Sequence, residues 1–352
     1  MATSEFNDVG IPGIVCAVPK IVRGSNEFQT VFSEEQIAKV QKMTGVKNRH
    51  IAGDGVCTSD LCVVAASELL VQLGWPPESI NGLIFVSQTP DHKLPATSCL
   101  IQERLGLPNE CAAFDVNLGC SGYVYGLWLA SSLIAARSVN RLLLLVGDTI
   151  TKIVSPRDRG TALLFGDAGS ATAVEFSRGA SKKHFVLGTD GSGGPNLIIP
   201  AGGCRCSSSP ETIEKIVMED GVTRSLEDLY MNGSEVLSFT LQRVAPLVSR
   251  LFKNAGCEFS EADYFVFHQA NLFILRQIAN KLRLDPQQVP INLDRFGNTS
   301  SASIPLVLAT ELEKDLSEKE RKIALVGFGV GYSWAAALGD FGPLDCCRVV
   351  EV

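Results

Sequence analysis

The chain has 352 residues, 45% hydrophobic and 20% charged, enough apolar material for two core-bearing halves and too ordinary in composition for disorder. A net charge of -7 argues against a nucleic-acid or membrane-surface protein, either of which needs a basic face, and no segment reaches the roughly 18 to 20 apolar residues that span a bilayer. Eleven cysteines without a secretion signal read as reduced thiols in a cytoplasmic protein, and with no Cys-x-x-Cys pair and four histidines no metal site is expected.

In chain order, the first helical periodicity runs from Leu61 to Leu73, is stopped by Gly74, and leads through an acidic turn to the apolar strand Gly82 to Val86. A helix from Cys99 to Leu107 precedes a second apolar strand that ends at Asn117-Leu118-Gly119-Cys120-Ser121-Gly122. Directly behind the thiol begins a nearly charge-free helix, Tyr123 to Ala136, and the strand Arg141 to Val146 closes the unit at Gly147-Asp148. A thiol at a helix N-terminus faces the positive end of the dipole and unpaired N–H groups, so Cys120 is expected to be a nucleophile with its thiolate favoured.

The same unit then recurs about 180 residues later, the signature of a duplication. The helix Val236 to Phe252 stops at Gly256, an acidic turn follows, and the strand Tyr264 to Phe267 ends at His268-Gln269-Ala270-Asn271 before a helix from Leu272 to Leu284. A short apolar, strand-like segment then reaches Phe296-Gly297-Asn298-Thr299-Ser300-Ser301, and the strand Lys322 to Val326 reaches Gly327-Phe328. Strands alternating with helices imply partly parallel sheets covered by helices on both faces, in two halves, 1–178 and 179–352. Cys120 and Asn298 occupy matching corners of these halves, which a pseudo-twofold would bring together. No phosphate loop and no strand-linked Gly-x-Gly-x-x-Gly occurs, which argues against nucleotide chemistry.

Cys120 in Asn-Leu-Gly-Cys-Ser-Gly, His268 in His-Gln-Ala-Asn and Asn298 in Gly-Asn-Thr-Ser make the chain resemble the thiolase superfamily, and within it the β-ketoacyl-acyl-carrier-protein synthase III family. Thr44-Gly45-Val46, Arg49-His50-Ile51, Asp158-Arg159-Gly160-Thr161, Phe165-Gly166-Asp167, Met231-Asn232-Gly233 and Gly327-Phe328-Gly329 extend the similarity from about Val9 to the C-terminus. The resemblance implies a thiolase-like α/β fold of duplicated halves, layered α-β-α-β-α, in a homodimer. It implies that Cys120 takes an acyl group from acyl-CoA or an acyl-carrier-protein thioester, with the N–H groups of Cys120 and Val330 holding the oxyanion. A malonyl group on acyl carrier protein would then lose carbon dioxide, its enolate held by His268 Nε2 and the Asn298 amide, while Phe328 excludes water. No cofactor is required.

Substrate-binding positions carried over from the family are Arg159, Met43, Asn232, Phe273 and Arg276. Lys39 and Met43 stand where the family has a Trp and an Arg that clamp the coenzyme A adenine, leaving Arg159 of that clamp. Phe273 replaces an Arg that meets the carrier protein; Arg276, Lys281 and Arg283 further along could substitute for it. Leu94 replaces a Phe that reaches across the dimer to limit acyl length. Three readings remain open on the sequence. A decarboxylating condensing enzyme, of primary or specialised metabolism, is favoured by the complete Cys-His-Asn set. An acyltransferase to an amine or alcohol, or a non-catalytic partner subunit, are its rivals.

Overall fold

The computed structural model describes residues 1–219 and 221–352. Strands β1 (Ala2–Phe6) and β2 (Val9–Val18) lead to α1 (Glu34–Thr44), α2 (Thr58–Leu73), β3 (Gly82–Val86), α3 (Thr97–Arg104), β4 (Ala112–Val116), α4 (Gly122–Ala135), β5 (Arg141–Asp148) and β6 (Ala168–Phe176). The second half continues through β7 (Lys183–Thr189), a two-residue ribbon of β8 (Leu197–Ile198) with β9 (Tyr230–Met231), α5 (Gly233–Ala255), β10 (Tyr264–Phe267), α6 (Leu272–Leu282) and α7 (Ser303–Glu311). It ends in β11 (Arg321–Gly329), β12 (Ser333–Phe341) and β13 (Cys346–Glu351).

Two sheets carry the fold, one ordered β13-β2-β6-β5-β3-β4 and the other β1-β7-β12-β11-β10. In the first, β3 runs parallel to β4 and β5, and β5, β6 and β2 alternate in direction. The second repeats that pattern with β10 parallel to β11 and antiparallel β11, β12 and β7. Helices α4 and α7 lie between the sheets and touch both; α2 covers the outer face of the first sheet and α5 that of the second, with α6 packed against α5. This is the expected α-β-α-β-α layering, and it explains the composition of α4. Tyr123, Val124, Leu127, Ala130 and Ile134 of this helix are fully buried between the sheets, and its half-buried Tyr125, Trp128, Leu129 and Leu133 pack against the same core, so the helix carries no charge.

The structure departs from the sequence expectations at two places. No strand leads to Asn298: residues Leu293–Phe296 form a helical turn ended by Gly297 at φ +67°, and Asn298 makes a single parallel bridge to Phe165. Leu293 and Phe296 are spaced three apart with Asp294 and Arg295 between them, which suits a helical turn rather than an alternating strand. The terminal strands also cross over. β1 pairs with β7 of the second half, and β13 pairs with β2 of the first. A division at 178/179 therefore follows the repeat but not the packing, because each end satisfies the open edge of the other half's sheet.

Leu127→Ala opens a cavity between the two sheets and is expected to destabilise the fold by about 2–5 kcal/mol. Denaturant titration should show a lower midpoint at unchanged slope; an unchanged midpoint would contradict the central placement of α4.

Candidate active site

Cys120 lies in the turn between β4 and α4, where Gly122 N–H donates to the Gly119 carbonyl at 2.6 Å and Ser121 precedes the first helical residue. Its thiol opens onto a cavity of about 280 Å³. Gln88, Asn117 and Ser300 stand with Cys120 at the polar end, while Ile150, Ile153, Phe165, Leu197, Ile198, Ile199, Leu229 and Val330 make the apolar remainder. The Cys120 sulfur is held by the Val330 backbone and the Ser300 side chain. Behind it Gly329 packs so closely that a Cβ there would fall 2.6 Å from Cys120 Cβ, so that position admits only glycine.

The expected ready thiolate is not what this environment produces. Burial pushes the Cys120 thiol up to about 11, assisted by the nearby Asp148 charge and only partly opposed by hydrogen bonds from Val330, Ser300 and its own backbone. The helix N-terminus is present, but loss of solvation outweighs it. The resting nucleophile is a thiol.

His268 follows β10 directly, its N–H donating to the Val326 carbonyl of β11 at 2.8 Å. Its Nδ1 lies 2.7 Å from Ser303 Oγ, and the Gln269 N–H donates to the same oxygen at 3.4 Å. The Ser303 hydroxyl has one proton to give and two lone pairs, so it pairs with Nδ1 in either imidazole tautomer; when it donates to Nδ1, the ring hydrogen is on Nε2. The Phe328 ring meets the imidazole edge-on, centroids 5.7 Å apart at 82°. Burial pushes His268 down to about 3, opposed by a hydrogen bond to the Ser300 backbone, so the imidazole is neutral.

Asn298 is buried and anchored at four points. Its N–H donates to the Leu164 carbonyl at 3.0 Å and its carbonyl accepts from Gly166 N–H at 3.1 Å. The side-chain oxygen accepts from Ser300 N–H at 2.9 Å, and Nδ2 donates to the Ala270 carbonyl at 3.2 Å, which commits one amide hydrogen. Cys120, His268 and Asn298 thus converge on Ser300, which the sequence showed only as part of a polar helix entry. Asp148, read only as the end of a strand, lies against the same group. It is fully buried and accepts from Gln88 N–H at 2.7 Å, Ser87 Oγ at 3.1 Å, and Ser301 N–H and Oγ at 3.2 and 2.6 Å.

The other expected site residues lie elsewhere. Leu94 is 86% exposed and outside its own chain's cavity, because its loop turns outward to where Lys93 Nζ donates to the Gly202 carbonyl. Asn232 caps α5, accepting from Glu235 N–H and Ser234 Oγ, so its side chain is occupied by the helix end. Arg159 lines a separate groove of about 660 Å³ with Arg157, Phe32, Gln36 and Thr223. Met43 is exposed near the end of α1, and Phe273 and Arg276 are exposed on α6.

Residues 114–191 match the family described as 3-oxoacyl-[acyl-carrier-protein (ACP)] synthase III, and residues 252–341 match its C-terminal family. The β-ketoacyl-[acyl-carrier-protein] synthase III of Symbiobacterium thermophilum is 36% identical over 335 residues, 94% of this chain and 98% of that protein. Among solved structures, a 3-oxoacyl-(acyl-carrier protein) synthase from Burkholderia xenovorans LB400 superposes with a TM-score of 0.94 at 44% identity, covering 100% of this chain and 99% of its own. The Thermus thermophilus β-ketoacyl-[acyl carrier protein] synthase III gives 0.82 at 34% identity, covering 95% and 99%. Among the described residues no helix is long and apolar enough to cross a membrane.

The neutrality of His268 is directly measurable. The unfolded chain takes up a proton at this ring near pH ~6.5, whereas the native ring stays neutral down to about pH 3, so the group costs stability as pH falls through that window. The His268 ring carbon shift should hold its neutral value from pH 7.5 to 4 by NMR. An inflection between pH 5 and 7 would show that the site is wetter than the geometry implies.

Proposed function

The chain belongs to the 3-oxoacyl-[acyl-carrier-protein] synthase III family, and we propose on that premise that Cys120, His268 and Asn298 divide its decarboxylating condensation between them. The family shows a condensing enzyme of the acyltransferase type; the residue roles are our reading of the geometry. In the loading half-reaction Cys120 sulfur bonds to the carbonyl carbon of an acyl thioester and the donor thiol leaves. The Val330 N–H beside the sulfur and the Cys120 N–H are the oxyanion donors that this reading requires, and the Val330 backbone contact supports it.

In the second half-reaction a malonyl thioester loses carbon dioxide to give an enolate, whose carbon attacks the acyl group on Cys120 and releases the thiol. His268 Nε2–H and the Asn298 amide donate to the enolate oxygen. Two observations support this assignment over a general-base role for His268. The imidazole is neutral, and Ser303 Oγ, 2.7 Å from Nδ1, is placed to donate to that nitrogen, the arrangement that leaves the hydrogen on Nε2. A neutral donor suffices for a charge that exists only transiently in a dry pocket. Phe328, packed on the imidazole and 2% exposed, keeps water from the place where carbon dioxide departs. No metal or organic cofactor enters these steps.

We extend the reading to two surfaces. β4 ends its sheet with one side unpaired, and Phe114 on it is partly exposed, which suits pairing with a second copy in a homodimer that would bring Leu94 to the partner's cavity. The exposed Phe273 and Arg276 on α6 suit an acidic carrier protein, the arginine steering it and the aromatic ring anchoring it.

The observation that carries this function is the convergence of the thiol, the neutral imidazole and the buried amide on Ser300, at the wall of the apolar cavity that the thiol lines. Intact-protein mass after incubation with acyl-CoAs of graded length should show one acyl adduct, absent in Cys120→Ala. His268→Ala and Asn298→Ala should still form the adduct but release carbon dioxide from malonyl-carrier protein about 10²- to 10³-fold more slowly. Loss of the adduct in Asn298→Ala with the fold intact would contradict the division of roles.

A further inference from the structure

Two carboxamides line the polar end of the cavity without a partner in the chain. Gln88 and Asn117 stand there with Cys120 and Ser300, while the rest of the lining is aliphatic or aromatic. The backbone of Gln88 is fixed, because its N–H donates to the buried Asp148 carboxylate at 2.7 Å. Its side chain is half-buried, and among the described residues neither its carboxamide nor that of the exposed Asn117 has a hydrogen-bond partner in the chain. A carboxamide carries an acceptor oxygen and two donor hydrogens, and leaving them unpaired where water is scarce is unfavourable.

The fold makes room for the Gln88 amide beside the nucleophile. A Cβ at position 119 would fall 2.2 Å from Gln88 Oε1, a far harder contact than its next one, Val330 Cγ1 at 3.0 Å. Gly119 does not take the positive φ that would call for glycine on backbone grounds. What glycine provides here is space, and the Gln88 amide fills it. Consecutive Cα atoms are about 3.8 Å apart, so an amide lying against residue 119 is within reach of the first few carbons of a group bound to Cys120.

We propose that the acyl group accepted by Cys120 carries a neutral oxygen function close to its thioester end, as a hydroxyacyl or oxoacyl group does, and that Gln88 selects it. The inference rests on Cys120 being the nucleophile of loading. A plain hydrocarbon chain leaves the Gln88 carboxamide facing methylenes. A hydroxyl or keto oxygen pairs with it, since the amide donates to either and accepts from the hydroxyl. No lysine or arginine lines the cavity, so a carboxylate resident there would lose its hydration without compensation, and the group that suits the site is neutral. The apolar remainder of the lining takes the hydrocarbon part. Loading itself is unchanged: the sulfur bonds to the acyl carbonyl carbon, the donor's C–S bond breaks, and the donor leaves as a thiol with the proton that Cys120 gave up. The oxygen function takes no part in the bonds made and broken.

The test is single-turnover loading by three donors of one chain length, butyryl-CoA, 3-hydroxybutyryl-CoA and acetoacetyl-CoA, followed by intact mass in wild type, Gln88→Met and Gln88→Leu. Methionine keeps the unbranched length of glutamine without its amide, and leucine supplies a second apolar replacement should the first pack poorly. Wild type should load the two oxygenated donors about tenfold more efficiently than butyryl-CoA, the scale of one hydrogen bond. In both variants that ratio should fall to about one, through slower loading of the oxygenated donors. A ratio near one in wild type, or a preference that survives in the variants, would overturn the proposal. Equal slowing of all three donors in the variants would also overturn it, because the amide would then serve the arm that every donor shares. If wild type forms no adduct with any donor, the nucleophile assignment beneath the proposal is what fails.

Discussion

Asp148 has no contact with solvent, and everything around it follows from satisfying that carboxylate. A charge buried without partners costs several kcal/mol, so its donors are not optional. They come from two places far apart in sequence: Ser87, Gln88 and Thr89 at the end of β3, and Ser301 at the entry to α7. The carboxylate therefore keys the first half to the second. Once Ser301 is pinned, the residue before it has little freedom, and Ser300 is held in its left-handed conformation between the thiol and the imidazole. Gln88, pinned on the other side, forms part of the cavity wall.

The same exclusion of water sets the protonation states of the site. Desolvation acts in opposite directions on an acid and a base, disfavouring the charged form of each, so it lifts the Cys120 thiol and lowers the His268 imidazole. A neutral thiol beside a neutral imidazole is a poor resting nucleophile but a good environment for a reaction whose charges are transient. Fixed N–H dipoles need not reorganise when an oxyanion or enolate forms, and in a dry cavity they are worth more than in water. On the roles proposed for these residues, loading releases the thiol proton, whereas decarboxylation calls only on donors. Two half-reactions with different proton demands thus share one buried volume.

The parts of this arrangement legible in the sequence are those with a period. The alternation of strands and helices, the Cys120 corner and the His268 corner follow from apolar runs ending at one polar residue, because burial imposes a repeat of 2 or 3.6 on the residues that flank such corners. The segment at Asn298 resisted that reading: Leu293 and Phe296 sit three apart in a stretch too short for a repeat to declare itself. The crossed terminal strands depend on pairing between residues about 180 apart for β1 with β7 and more than 300 apart for β13 with β2, which leaves no local trace. Expecting a thiolate at Cys120 weighed the helix terminus, visible in sequence, against a desolvation that is not. Asn232 shows a structural part that the motif alone does not display, since its side chain caps α5. The cavity wall was least legible, since Leu197, Ile198, Ile199 and Leu229 come from an excursion between β7 and α5 that has no regular pattern.

The duplication could have produced two equivalent corners, and the difference between them explains how the labour divides. The first half keeps its strand before the corner; β4 leads to Asn117 and Cys120 on the cavity wall and leaves its far edge unpaired. The second half has given up the corresponding strand for a helical turn, a left-handed Gly297 and one bridge to Phe165. In a strand, successive side chains point to opposite faces, so residues 298 and 300 could approach one point but not while the backbone of 300 also turned toward it. Irregular backbone lifts that restriction. It lets the Ser300 backbone meet both the Asn298 side chain and His268 within three residues of chain. A strand corner is well suited to presenting one side chain, here the Cys120 thiol, and an unravelled one to gathering several polar groups around Ser300. That is the physical reason for a fold of two similar halves to hold one asymmetric site at their junction.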